Sequence, residues 1–226
     1  MAALLQVTRS IPIVFTFVTD PVRDGFVASL SHPGGNVTGF TIFEHTMAGK
    51  WLEMLKEAAP HITRVAVMQN PEHPAWPTYL NAIATVAPSA GMQVTPTPVH
   101  DPDEIERAIS AFAGEPNGGL VVLPSGMAVN YRDQIIATAL RHRIPAIFPE
   151  RVFAESGGLV SYGVVQSEMY RQAATYADRI LKGSKPSELP VQLATKFELV
   201  INIKTAKALG LAVPPMLLAR ADEVIE

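Results

Sequence analysis

Two hydrophobic periods alternate along this chain. Ile11–Val18 is an apolar, β-branched run, the pattern of a buried strand. Asp20-Pro21 closes it, and Val22–Leu30 carries apolar residues at helical spacing. His32-Pro33-Gly34-Gly35-Asn36 reads as a tight turn into a second strand, Val37–Phe43. Thr46–Ala59 predicts a helix with Trp51, Leu52, Leu55 and Ala59 on one face, ended by Pro60. Arg64–Gln69 is a strand closed by Asn70-Pro71, and Pro77–Ala90 a helix with Gly91 as its cap residue. Val94–Val99 contains two prolines that cannot donate to a ladder, which predicts an edge strand. Asp101 begins a helix through Ala113, with Glu104 completing a capping box.

The alternation continues. Leu120–Leu123, Ala146–Phe148, Leu159–Tyr162 and Phe197–Asn202 predict strands. Tyr131–His142, Val152–Ser156, Glu168–Leu181 and Thr205–Leu209 predict helical segments, and Lys185-Pro186-Ser187 a linker. Strands alternating with helices imply an α/β fold with parallel strands and right-handed crossovers. Ligands of such sheets sit beyond the carboxyl ends of the strands. The residues there are Thr19 and Asp20, Thr41 with Phe43-Glu44, Asn70, Ser125, Phe148, and Tyr162-Gly163. Small polar groups with a few aromatics suit a hydrogen-bonding site for a small molecule. Asp20 reads equally as a helix cap and as a carboxylate for a ligand amine. Trp51 reads as a packing residue.

Charge and composition then exclude several chemistries. The 226 residues are 48% hydrophobic and 17% charged, with a formal net charge of −3. No stretch is a basic block, which argues against a nucleic-acid partner. The absence of cysteine excludes thiol catalysis and disulfides. The glycines at 34–35 lack the spacing and the lysine of a phosphate loop, and Ser125 lacks the first glycine of a nucleophile elbow. The six histidines show no ligand spacing, so neither metal nor cofactor is expected. The opening residues lack the charged region and cleavage site of a signal peptide.

Beyond these patterns, several stretches resemble one family. They include Val18-Thr19-Asp20-Pro21, the run Pro33–Phe40 (PGGNVTGF), Ser161-Tyr162-Gly163, Leu189-Pro190-Val191, and the C-terminal LVINIKTAKALGLAVPP. Together they resemble the substrate-binding proteins of ABC transporters that include tryptophan and tyrosine binders. The resemblance implies two Rossmann-like lobes of the type I periplasmic-binding protein fold, the first incomplete at its N-terminus. Lobe one would hold residues 1–43 and 168–189, and lobe two 44–162 and 196–226. Residues 163–167 and 190–195 would be hinge crossings. The family further implies a periplasmic protein, without enzymatic activity, that delivers a small polar solute to ABC permease subunits. An effector-sensing domain of LacI-type architecture is the alternative. Many relatives carry aspartate just after the Tyr-Gly pair, whereas this chain has Val165, which cannot pair with a ligand ammonium. An incomplete first lobe would leave the Ile11–Val18 strand with an open edge, from which self-association is expected.

Overall fold

The computed structural model describes residues 1–42, 46–73 and 75–226. The chain opens on α1 (Ala2–Val7) and enters β1 (Ile13–Val18). The helix expected over 22–30 does not form, and turns take its place. Asp20 Oδ1 accepts the Arg23 N–H at 3.0 Å, and the Pro21 carbonyl takes the amides of both Phe26 and Val27. Gly25, at φ +71°, turns the backbone left-handed before a second helical turn can close. β2 (Val37–Thr41) follows, and Phe43 and Glu44 lie outside the described residues.

Next come α2 (Thr46–Ala58), β3 (Arg64–Gln69) and α3 (Trp76–Val86). α3 stops before the expected Ala90 because Pro88 has no N–H to continue the ladder. Gly91, at φ +64°, makes the turn beyond it. After β4 (Gln93–Pro98), α4 (Pro102–Phe112) has the expected cap. The Asp101 side chain accepts the Glu104 N–H at 2.8 Å, and Glu104 Oε2 accepts the His100 N–H at 2.7 Å. Then follow β5 (Gly118–Val122), α5 (Gly126–Asn130), α6 (Arg132–Arg141), β6 (Ala146–Phe148), α7 (Arg151–Glu155), β7 (Val160–Val164) and α8 (Gln166–Leu181). A single turn at Pro186–Glu188 leads to β8 (Gln192–Leu193), β9 (Phe197–Asn202), α9 (Ile203–Leu209), α10 (Pro215–Leu218) and β10 (Glu223–Ile225). Sequence reasoning did not anticipate α5, β8, α10 and β10. None exceeds five residues, too few to display a period.

The chain divides into two compact units, Met1–Glu44 with Val164–Phe197, and His45–Gly163 with Glu198–Glu226. The first contains a parallel three-stranded sheet in the order β1-β2-β8. One face of this sheet is covered by α8, with Phe40, Met169, Tyr176 and Leu189 buried together. On the other face Phe15, Val27, Val37 and Val191 form a second small core with Leu5 of α1. Residues 190–195 add to this unit. The Val191 N–H bonds the Leu30 carbonyl, β8 pairs with β2, and Tyr176 donates its hydroxyl to the Pro190 carbonyl at 2.7 Å.

The second unit has a seven-stranded sheet, ordered β10-β9-β7-β6-β5-β3-β4. β4 and β5 pair parallel to β3, β6 to β5, β7 to β6, and β10 to β9. The proline-bearing β4 is an edge strand, as its sequence predicts. Ala66, Met68, Leu120, Val122, Ala146 and Phe148 point to one face and pack on Ile105 and Ile109 of α4 and Ile135 and Ala139 of α6. α2 covers part of the opposite face, with Trp51, Leu52 and Leu55 buried. Burial of each leucine stabilises the fold by about 1.5–3 kcal/mol. Gly119 lets α2 approach, since a Cβ there would lie 3.1 Å from the Leu55 side chain. Arg151 fastens the returning C-terminal strands. Its guanidinium meets Glu155, Glu198 of β9 and Glu223 of β10.

Candidate functional site

In the first unit, β1 and β2 run parallel, so their carboxyl ends lie side by side and bring Thr19, Asp20 and Thr41 together. Thr41 donates its hydroxyl to the Thr19 carbonyl at 2.9 Å, and both residues are buried. Asp20 is half-buried and caps the turn through the Arg23 N–H, while the Arg23 guanidinium lies 4.0 Å away. Phe17, which sequence reasoning did not select, has φ +59°, and the β1–β2 register shifts between Phe15 and Val18. Left-handed backbone at a bulky residue is uncommon and strained. The Phe17 ring meets Tyr170 edge-on at 5.4 Å, and Tyr170 is 58% exposed. Val165 precedes α8, and its N–H bonds the Lys196 carbonyl.

In the second unit, neighbouring parallel strands set the remaining residues along one sheet margin. Asn70 follows β3, Ser125 lies just past β5, Phe148 ends β6, and Tyr162-Gly163 lie in β7. Asn70 Oδ1 accepts the Glu72 N–H at 2.9 Å, closing a local turn. Ser125 Oγ accepts the Ala128 N–H at 3.1 Å and caps α5. Phe148 belongs to the core, where it is 1% exposed and stacks on Phe153 at 4.8 Å. Tyr162 is half-buried. A Cβ on Gly163 would lie 1.8 Å from the Pro149 carbonyl oxygen, so only glycine fits there.

Three further groups escape sequence reasoning. Gln69, immediately before Asn70, is 1% exposed, and among the described residues neither its Oε1 nor its Nε2 has a hydrogen-bond partner. The Ser161 hydroxyl in β7 is buried in the same state. The Trp51 indole donates to the Tyr162 carbonyl at 2.7 Å. Whether a distant group meets each of these is decided by tertiary structure, so no local signal marks them. The margin offers hydroxyls, amides and backbone groups, the equipment for holding a polar solute. A serine–histidine contact does exist, Ser110 Oγ to His142 Nε2 at 3.0 Å, but it joins α4 to the end of α6, away from these strand ends.

Two parallel α/β units with polar residues at their strand ends have the architecture of periplasmic-binding proteins. The chain belongs to the family described as ABC transporter substrate binding protein, which it matches over residues 1–225. A tyrosine-binding protein of Clostridioides difficile is 29% identical over 92% of this chain, and the chain spans 60% of that relative's length. A conserved domain protein from Vibrio cholerae is 30% identical, with a TM-score of 0.89 over 98% of this chain and 74% of its own. The ABC domain from Streptococcus pneumonia in complex with L-Trp is 24% identical, with a TM-score of 0.88 over 98% of this chain and 74% of its own. That likeness establishes the type I periplasmic-binding fold.

Proposed function

We propose that this protein captures a small polar solute of the amino-acid class and presents it to the permease subunits of an ABC importer. The observation that carries this reading is the family match over nearly the whole chain. The likeness to a tyrosine-binding protein supports the ligand class. Within the first unit Thr19 and Asp20 are the ligand-facing residues, with Thr41 orienting Thr19; within the second unit they are Asn70, Ser125, Tyr162 and Gly163, with Phe148 supporting the sheet end from within the core. The Asp20 carboxylate takes the part of ammonium partner that Val165 cannot. Binding without turnover accords with the family, and so does a periplasmic location, from which a permease would take the solute. Family membership, not fold, separates this reading from the effector-sensing one, since both share the architecture.

The test is thermal unfolding with L-tyrosine, L-tryptophan, other amino acids and small carboxylates. A ligand that binds only the folded state raises the midpoint, by about 2.7 kcal/mol of stability at a hundredfold excess over Kd. A shift with L-tyrosine or L-tryptophan is expected. A flat response across all amino acids overturns the ligand class.

The open edge of β1 has a further consequence. Among the described residues β1 pairs with β2 alone, and Leu4, Val7 and Ile11 beside it are exposed. Unpaired apolar strand edges template further pairing, and the partner proposed is a second copy of this chain. Light scattering after size exclusion should give a mass that rises with concentration, and a constant monomer mass at micromolar concentrations overturns the idea.

A further inference from the structure

Trp51 sits on the apolar face of α2, 2% exposed, with its ring 5.8 Å from that of Tyr79. Packing accounts for the ring. It does not account for the indole N–H, which reaches across the sheet margin to the carbonyl of Tyr162, 111 residues away, at 2.7 Å.

The location of that carbonyl gives the bond its meaning. β6 and β7 are registered at Ile147 with Val160 and at Phe148 with Ser161, and β6 then ends. The next residue, Pro149, has no N–H to donate to a neighbouring strand. β7 nevertheless continues through Tyr162 and Gly163 to Val164. Between Gly163 and Val164 the chain leaves the second compact unit for the first. So the last stretch of β7 within this unit runs beyond the registered support of β6. β9 lies along its other side, and on the β6 side two contacts among the described residues bear on it. Gly163 presses on the Pro149 carbonyl, leaving no room for a side chain, and the indole of Trp51 holds the carbonyl of Tyr162.

We infer that Trp51 is a positioning residue: its indole N–H takes over where the β6 strand stops, and sets the path of Tyr162 and Gly163 as the chain leaves the unit. A donor on a buried helix face is well suited to this, because a packed ring has little rotamer freedom left to lose. The bearing of this on solute capture rests on the substrate-binding reading above, since Tyr162 and Gly163 belong to the ligand-facing set. The positioning itself does not depend on it.

Two ligand-free measurements test the inference on the full chain. The first uses the wild-type protein with 15N-labelled tryptophan and 13C-carbonyl-labelled tyrosine. A through-hydrogen-bond NMR correlation from the Trp51 indole nitrogen to the Tyr162 carbonyl is expected, together with indole exchange much slower than at Trp76. The second compares amide hydrogen exchange in Trp51→Phe, which keeps an aromatic ring and removes the donor. Exchange at Tyr162, Gly163 and Val164 should quicken by about tenfold or more, as for loss of one net hydrogen bond, with Leu120–Val122 of β5 unchanged. A uniform rise across the strands under α2 would reduce Trp51 to a packing residue. So would unchanged exchange, or absence of the NMR correlation in the wild type. Neither measurement uses a ligand, so failure of the amino-acid reading would leave its result intact.

Discussion

Phe15 and Gly39 stand opposite each other across β1 and β2, so close that a Cβ on Gly39 would lie 2.2 Å from the Phe15 carbonyl oxygen. Gly39 also has φ +154°, a conformation that side chains rarely adopt. Gly39→Ala should therefore destabilise the protein by about 1–3 kcal/mol or more, through strain and overpacking together. Gly35→Ala is the control, because nothing lies within 4 Å of a Cβ there. Urea unfolding of the two variants checks the contrast. Equal midpoints would mean that the strands separate at little cost.

Gln69 presents the opposite situation, a residue whose removal should help. Its amide is buried without a partner among the described residues, and an unpaired buried polar group costs about 1–3 kcal/mol. Gln69→Leu keeps much of the volume and deletes the polar atoms. We expect a higher thermal midpoint and a stability gain of about 1 kcal/mol. A marked loss would show that the amide has a partner under solution conditions.

Glu106 links stability to pH. Thr138, fully buried on α6, donates its hydroxyl to Glu106 Oε2 at 2.7 Å, and Arg141 adds a charged contact. The Thr138 hydrogen bond is the main cause that holds the Glu106 carboxyl below its usual range; burial opposes it, and the Arg141 contact and the His142 charge add smaller lowering effects. A carboxyl lowered on folding contributes stability above its unfolded pKa and loses it as pH falls through the folded value. Thr138→Val should thus be less stable than the wild type near neutrality, with the gap closing as pH drops below about 4. Chemical denaturation at a series of pH values would reveal the convergence. A gap that stays constant with pH would assign the cost to packing alone.

Asp20 serves the turn and, in our proposal, the ligand, and two substitutions separate these roles. Asparagine caps about as well as aspartate, whereas alanine cannot cap and costs about 1 kcal/mol. Asp20→Asn should retain stability but weaken the response to L-tyrosine by about tenfold or more, because the charge-assisted bond is lost. Asp20→Ala should lose both. Titration calorimetry with unfolding curves on the same samples decides the matter. Full affinity in Asp20→Asn would leave Asp20 as a turn cap only.

Apart from the short α5 and β8, the order of strands and helices from β1 to α9 is legible along the chain, because burial on one or two faces is a matter of local spacing. The edge position of β4 follows equally locally, from prolines that cannot donate. The stretch after Asp20 misleads for the converse reason: its apolar spacing is helical, but Gly25 takes a backbone conformation that spacing does not record. Thr19, Asn70 and Ser125 could be picked out as strand-end residues without coordinates, since a parallel sheet presents its carboxyl ends to one margin. Phe148 shares that sequence position yet turns into the core against Phe153, and its facing was set by neighbours on α7. The strain at Phe17, the orphaned amide of Gln69 and the bond from Trp51 to Tyr162 belong to tertiary structure alone. Each depends on which groups, often tens of residues away in the chain, arrive or fail to arrive within about 3 Å, and a one-dimensional pattern carries no such distance.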